Sequence, residues 1–508
     1  MFFKTNPKQF FIGSVISLAL TSSAIATEIS NIADSTAQYA ASTYQQAMIN
    51  SLAQLIKHNT VAKAGVAATE NPAHIAFKKE LKKQAHALGL DFKDDGYVVI
   101  IGLGDSKDRV GIITHGDVQP VDPSKWAQSP FELDSTSEPG KLLGRGTEDD
   151  KGPISTALYA MKAIKDKGIK LSKRLELYVY MAEESDWAPL EEYVKNHELP
   201  QTNITIDADY PVVTAEKGYG TLKIAFNKVK HQSLLTPYIS HFEGGYFGSQ
   251  IPEDAKAIIN NADVALLEML MAKAQGYTGI NFDFNLQDNQ LTVTALGKSA
   301  HSSTPQNGVN AIPYLADLLA GTGTPWPNNG PGTLVNFIND NIGLGLEGKK
   351  FGSIAYRDDF MGPMTVSPTV IKQHKDNIEL NINIRRPKGK SAQQLREEIN
   401  HAIATWKLKN MADMTELDHV IGDPFVQENA PQTATLLSVF SHFTGIKDAK
   451  PVSVGGGTNS RLFPTAVSFG PSMPGAEYTG HSEHEFITVK QFVLNLKMYT
   501  AAMIELAK

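Results

Sequence analysis

Five short segments of this chain carry carboxylates and imidazoles where strand-like runs end. They are His115-Gly116-Asp117, Asp149-Asp150-Lys151-Gly152, Glu183-Glu184, Asp207-Ala208-Asp209 and, far along the chain, His481. Together they supply enough nitrogen and oxygen donors for two metal ions, with one acid over for proton transfer. Two divalent ions sharing a bridging carboxylate activate a water and polarise a carbonyl together. The chemistry such residues suit is therefore hydrolysis. The chain has no cysteine, which excludes thiolate sites and disulfides and leaves only oxygen and nitrogen ligands for any metal.

The elements that must position these residues alternate between strand and helix. Positions 34–89 are helical in pattern, with Met48, Leu52, Leu55 and Ile56 spaced along one face. Tyr97 to Ile101 and Val110 to Thr114 then read as buried strands. Pro153 to Lys167 reads as a helix, with proline early and Gly168 just past its end. Leu175 to Met181 and Ile204 to Ile206 are strands again. This alternation predicts an α/β layer built on a mostly parallel sheet. His115, Glu183, Glu184 and Asp207 then fall at the carboxyl ends of strands, the usual ligand crevice of such sheets.

After Gly218 the pattern changes. Gly220 to Phe226, Asp283 to Leu296 and Asn377 to Arg385 alternate like half-exposed antiparallel strands. Asp254 to Ala274, Ala311 to Leu319 and Ser391 to Ala404 read as helical. The expected organisation is a discontinuous catalytic domain at 27–217 and 419–508, interrupted by an inserted α+β domain at 218–418.

The first 26 residues have the charge, the apolar run Phe10 to Leu20 and the Ala24-Ile25-Ala26 site of a secretory signal peptide. The expectation is an exported protein, periplasmic or secreted, cleaved after Ala26 and free of the membrane thereafter. Of 508 residues, 42% are hydrophobic and 20% charged, and the net charge of −7 argues against nucleic acid as a partner.

Each segment alone admits a plainer reading. Paired acids in a glycine-flanked turn also suit a solvated helix N-terminus. Glu183 and Glu184 are either a surface acidic turn or one ligand beside one general base. His115 and Asp117, two apart at a strand end, suit an imidazole steered by a carboxylate. His301, in Ser299-Ala300-His301, is a loop histidine of the inserted domain. His481 and His484 do not form the His-Glu-x-x-His arrangement of helix-borne zinc sites.

The order of the segments resembles the di-zinc metallopeptidases that include aminoacylases, glutamate carboxypeptidases and bacterial dipeptidases. Those proteins run His-x-Asp, Gly-x-x-Asp-Asp-Lys-Gly, Glu-Glu, Asp, a lid Ser-Ala-His and a C-terminal His, and all six stations occur here in order. The stretches Asp207-Ala208-Asp209-Tyr210-Pro211, Glu216-Lys217-Gly218, Thr304-Pro305-Gln306-Asn307-Gly308 and Gly455-Gly456-Gly457-Thr458 are similar to the dipeptidase V group.

The resemblance implies roles. His115 and Asp207 would hold one zinc, Glu184 and His481 the other, and Asp149 would bridge them; manganese or cobalt suits the same donors. The peptide bond after the bridging aspartate would be cis. Asp117 would orient His115, and Glu183 would be the general base. His301 on the lid would bind the oxyanion, and Arg385 the substrate carboxylate. Gly457 would join the substrate site. A lid about twice as long as that of dimeric relatives would let one chain close its own site, hence a monomer. One departure stands out: Ser249 occupies the place of a substrate-holding asparagine. The implied function is an exported metal-dependent dipeptidase acting on small peptides. N-acyl amino acid deacylase or carboxypeptidase activity is the near alternative, and an inactive periplasmic peptide-binding protein the remote one.

Overall fold

The computed structural model describes residues 29–229, 236–321, 323 and 326–508. The expected signal peptide lies outside them. Among the described residues, no helix is long and apolar enough to cross a membrane.

Arg109–His115 runs through the middle of a nine-stranded sheet. It is parallel to Arg174–Tyr180 on one side and to Thr202–Thr205 on the other, with Val110 opposite Leu175 and Thr202. Val467–Ser468 extends the parallel run beyond Thr202–Thr205. The flanks carry antiparallel pairings. Val98–Leu103 lies against Arg174–Tyr180, and Val213–Glu216 against Val467–Ser468 and Phe425–Val426. The parallel part is thus the centre, from which the ligand-bearing segments emerge.

Central parallel strands are covered on both faces, so they need nearly continuous apolar residues. Arg109–His115 is buried from Val110 onwards. Helices Asn31–Ile56, Lys151–Asp166 and Val489–Ala507 share one core with the sheet, through Leu52, Leu158, Ile164, Leu177, Tyr499 and Met503. A second cluster holds Tyr178, Tyr180, Leu190 and Phe463, with helix Ala188–Asn196 packed into it. In Lys151–Asp166 the buried Ile154, Ala157, Leu158, Met161 and Ile164 make one stripe at helical spacing. That helix starts at Lys151, ahead of the expected Pro153, so Lys151 and Gly152 lie inside its first turn.

The inserted domain begins with Gly218–Asn227. Its main sheet has eight strands among the described residues, all antiparallel, in the order Asn281–Gln287, Gln290–Leu296, Asp254–Asn260, Tyr238–Gly244, Thr365–Gln373, Asn377–Arg386, Gly218–Asn227 and Met414–Ile421. Helices Val264–Ala274, Ala311–Ala320, Pro331–Phe337 and Ala392–Asn410 complete a separate core with Leu270, Leu315, Leu334 and Ile399. The molecule is an α/β catalytic domain carrying an α+β lid.

Two expectations need correction. Positions 254–274 are not one helix. Asp254–Asn260 is a strand with Ala255, Ala257 and Ile259 buried, and pairing on both sides overrides the helical preference of its alanines and lysine. The helix begins only at Val264, where the Asp263 side chain accepts the Leu266 N–H at 2.8 Å. The lid also does not end at 418, because its edge strand continues to Ile421.

Candidate active site

His115 closes the central strand, and its Nε2 lies 2.8 Å from Asp149 Oδ1 and 3.7 Å from Asp207 Oδ2. His481 Nε2 lies 3.0 Å from Asp149 Oδ2 and 2.9 Å from Glu184 Oε1. Two triads result, His115–Asp149–Asp207 and Asp149–Glu184–His481, each with its donor atoms within 4.8 Å of one another. Asp149 belongs to both and offers a different oxygen to each histidine. The Asp149–Asp150 peptide bond is cis.

The loops holding these side chains are tied by residues that sequence reasoning did not single out. The buried Glu485 accepts the N–H groups of Gly146, Glu148 and Asp149 at 3.0, 2.9 and 3.1 Å, and Arg145 donates to it at 2.8 Å. Glu148 does the same for the His481 loop, accepting from the Thr479 and Gly480 N–H groups and from the Ser472 and Thr479 hydroxyls. Tyr478 donates its hydroxyl to Asp149 Oδ2 at 2.8 Å, and Gln119 donates to Glu184 at 2.7 Å. Arg145 and Glu148 stand in the glycine-flanked acidic motif and Glu485 beside His484, so adjacency was the available signal. His484 itself is largely exposed against Glu138 and belongs to neither triad.

Asp117 stands beside His115 and holds a second turn as well. His115 Nδ1 sits 3.0 Å from the Asp117 backbone carbonyl, with the carboxylate 3.6 Å away. That carboxylate also accepts the N–H groups of Glu183 and Glu184, at 3.0 and 3.1 Å. It sets the turn that presents both glutamates, and the carbonyl beside it orients the imidazole. The Glu183 side chain makes no hydrogen bond among the described residues and faces the cleft.

The cleft between the two domains has a volume of about 1570 Å³. Its lid wall carries His301, whose ring centroid lies 4.6 Å from that of His481. The Ser303 N–H donates to His301 Nδ1 at 3.2 Å, which leaves Nε2 to carry the ring proton. Ser249 Oγ lies 3.3 Å from His481 Nδ1. Arg385 is buried, with Asn383 Oδ1, Ser302 Oγ and the Gly455 carbonyl at 3.1, 3.3 and 3.4 Å and the Tyr219 ring at 4.8 Å. No carboxylate among the described residues pairs with it. Gly457 lines the cleft, but a Cβ there would meet Arg461 and Glu216 only at 3.6 and 3.8 Å. The glycine the geometry requires is Gly455, where a Cβ would stand 2.1 Å from the Ser303 carbonyl of the lid.

Burial and crowding set the electrostatics. Burial raises Glu183 well above the usual carboxylate range, and the nearby Asp207 raises it further. Asp207 is pushed up to about 6, chiefly by burial. Burial disfavours charge on His481, but Glu184 and Asp149 outweigh it and raise that imidazole to about 10. His301 falls well below its usual value through burial, with His481 and Arg385 adding to the effect. Five buried or half-buried carboxylates, Asp117, Asp149, Glu183, Glu184 and Asp207, thus converge around His115 and His481, a costly gathering unless positive charge joins it. The donors are imidazole nitrogens and carboxylate oxygens in two sets of three, which suits zinc, manganese or cobalt. The site residues fit a pair of divalent cations.

An α/β sheet under an antiparallel lid, with two histidine–carboxylate triads between them, is the framework of a metal-dependent hydrolase. The chain belongs to Peptidase family M20/M25/M40, whose sequence model matches residues 111–505. It is 29% identical over 418 residues to the beta-Ala-Xaa dipeptidase of Lactobacillus delbrueckii subsp. lactis, covering 81% of this chain and 84% of that one. A putative dipeptidase of Bacillus subtilis, YtjP, is likewise 29% identical over 418 residues, covering 82% and 86%. Among solved structures, human carnosine dipeptidase 1 superposes with a TM-score of 0.57 at 15% identity, covering 94% of this chain and 99% of that one. The dipeptidase Dug1p of Saccharomyces cerevisiae superposes with a TM-score of 0.55 at 14% identity, covering 92% and 97%.

Proposed function

We propose that this protein is an exported, two-metal dipeptidase that cleaves the peptide bond of short peptides bearing a free carboxylate. The observation that carries the reading is the placement of Glu183. Among the described residues it is a carboxylate free of protein hydrogen bonds beside two triads that share Asp149, across a cleft from a buried Arg385 with no acidic partner. The relatives named as dipeptidases support the substrate class. His115, Asp149 and Asp207 would hold one ion, and Asp149, Glu184 and His481 the other. When bound, such ions supply Lewis acidity for water activation and carbonyl polarisation.

The protein's own groups account for the rest of the reaction. Arg385 would take the terminal carboxylate, because its planar fork suits bidentate pairing and its charge is otherwise uncompensated. That contact would fix the scissile bond relative to Glu183. Glu183 would accept the proton of the attacking water and deliver it to the leaving amine, a task its raised affinity for protons suits. His301, kept neutral by burial and with Nδ1 occupied by Ser303, would donate from Nε2 to the oxygen on which charge develops. His301 belongs to the same chain as the triads, which supports a monomer closing its own site. Export rests on the N-terminal sequence alone.

The test is hydrolysis by the purified mature protein of matched dipeptides, tripeptides and N-acetyl amino acids, before chelation, after it, and after metal return. Metal-restored cleavage confined to dipeptides is expected. Preferential cleavage of the acetylated substrates would replace the reading with an amino acid deacylase.

A further inference from the structure

A histidine that binds a metal through one ring nitrogen usually donates the N–H of the other to a fixed acceptor, which sets its tautomer and its aim. For His115 that acceptor is its own neighbour, the Asp117 carbonyl at 3.0 Å. For His481 nothing within the catalytic domain serves among the described residues. Nε2 faces Glu184 and Asp149, and the partner of Nδ1 is Ser249 Oγ at 3.3 Å, a residue of the lid.

The neighbouring lid residue adds a second hold. Gln250 donates from Nε2 to the His481 carbonyl at 3.4 Å and to Ser299 Oγ at 3.0 Å. His481 has φ of +66°, in the left-handed region that a non-glycine residue keeps only when its surroundings hold it there. Ring and backbone of this histidine are therefore both gripped by two consecutive lid residues. Those residues are also joined to the segment that brings in His301: Gln250–Ile251 pairs with Ala300–His301, and the Ser302 N–H donates to the Ser249 carbonyl at 2.8 Å.

We propose that Ser249 is a positioning residue for the metal ligand His481, so that lid closure and occupancy of the Asp149–Glu184–His481 site are coupled. The His115–Asp149–Asp207 site lacks this dependence, because its histidine is oriented within the catalytic domain. When the lid lies open, His481 Nδ1 loses its acceptor and the second site loosens while the first keeps its geometry. Coupling of this kind is reciprocal: an ion in the second site stabilises the closed lid by the amount the closed lid strengthens its binding. Ser249 then bears on metal retention, through the ring it faces.

The inference rests on the two-metal reading, and the experiment separates the two. The mature protein and its Ser249→Ala, Ser249→Thr and Gln250→Ala variants would be titrated with Zn2+ against a chromophoric chelator. Co2+-loaded samples would be followed by visible absorption, and lid closure by small-angle scattering with and without zinc. In Ser249→Ala one of two dissociation constants should rise about 10- to 100-fold, the usual effect of losing such a partner, while the other holds. Ser249→Thr, which keeps the hydroxyl, should restore it, and zinc should compact the native protein more than Ser249→Ala. Two unchanged constants in Ser249→Ala, or equal weakening of both, would overturn the coupling. A native protein that binds fewer than two ions would instead overturn the two-metal reading, and the coupling with it.

Discussion

On the catalytic side of the cleft the loops that bear the candidate ligands are fastened within their own domain, although His481 also takes lid partners. On the lid side, His301, Ser249 and Arg385 reach the site through contacts that cross between domains. The Asp149 loop is set by the N–H groups of Gly146, Glu148 and Asp149 donating to Glu485, which a buried arginine neutralises. Ser249 meets His481 at 3.3 Å, and Arg385 meets Gly455 at 3.4 Å. The two domains have separate hydrophobic cores, and the contacts just named between them are polar. The candidate ligands are thus held mainly from within one domain, and His301, Ser249 and Arg385 come to them from the other. The catalytic side gathers charges that repel one another, and the lid supplies the groups that close over them.

The largest expected effect falls on the catalytic side. Glu183→Ala should leave two bound ions in place and lower kcat by about 10²- to 10⁴-fold. Metal analysis beside steady-state kinetics checks it, and undiminished turnover would remove Glu183 as the base. Glu485→Ala should act through the framework. It strips three N–H groups of their acceptor and leaves Arg145 charged and unpaired in the interior, a loss of about 3–5 kcal/mol. Urea unfolding measures this, and a cost below about 1 kcal/mol would show that the Asp149 loop holds itself.

The pH dependence of metal uptake comes next. In the metal-free protein His481 keeps its proton up to about 10, because Glu184 and Asp149 outweigh its burial. An ion entering that triad displaces the proton, so affinity should rise with pH through neutrality and level off only near that value. Calorimetric titration in buffers of different ionisation heat should detect proton release at pH 7. Uptake without release would mean that His481 is not a ligand. The smallest effect belongs to the exposed bridges between lid and core. Lys125 meets Glu253 and Asp254 at 2.7 and 3.0 Å, and Lys298 meets Glu477 at 3.0 Å. Such pairs are worth about 0.2–1 kcal/mol each. Lys125→Ala combined with Lys298→Ala should therefore move kcat/KM only a few-fold at low salt and not at all at high salt. A larger loss would mean that the lid depends on these bridges more than on its buried contacts.

Much of the catalytic half was legible because its signals are local. Val110 to Thr114 is an unbroken apolar run with a ligand at its end, and the stripe of Lys151–Asp166 follows helical spacing from one buried residue to the next. The lid was harder to read. Asp254–Asn260 has the composition of a helix and becomes a strand through two neighbours. Thr365–Gln373 contains Pro368, which argues against a central strand, yet a register shift beside it accommodates the ring. Pairing partners far along the chain made those decisions, and no window of sequence contains them.

The sequence by itself determined the donor types, the absence of thiolates, and the order in which histidines and acids meet the ends of strands. These follow from residue chemistry and from the periodicity of neighbouring side chains. Only the tertiary structure decided which atoms meet. It placed Glu485 under the Asp149 loop across 340 positions, turned the Asp117 carboxylate towards the glutamates, and set a lid serine against His481. Hydrogen bonds are directional and act over about 3 Å. Whether one forms depends on where the folded chain brings its ends, which spacing along the chain does not encode.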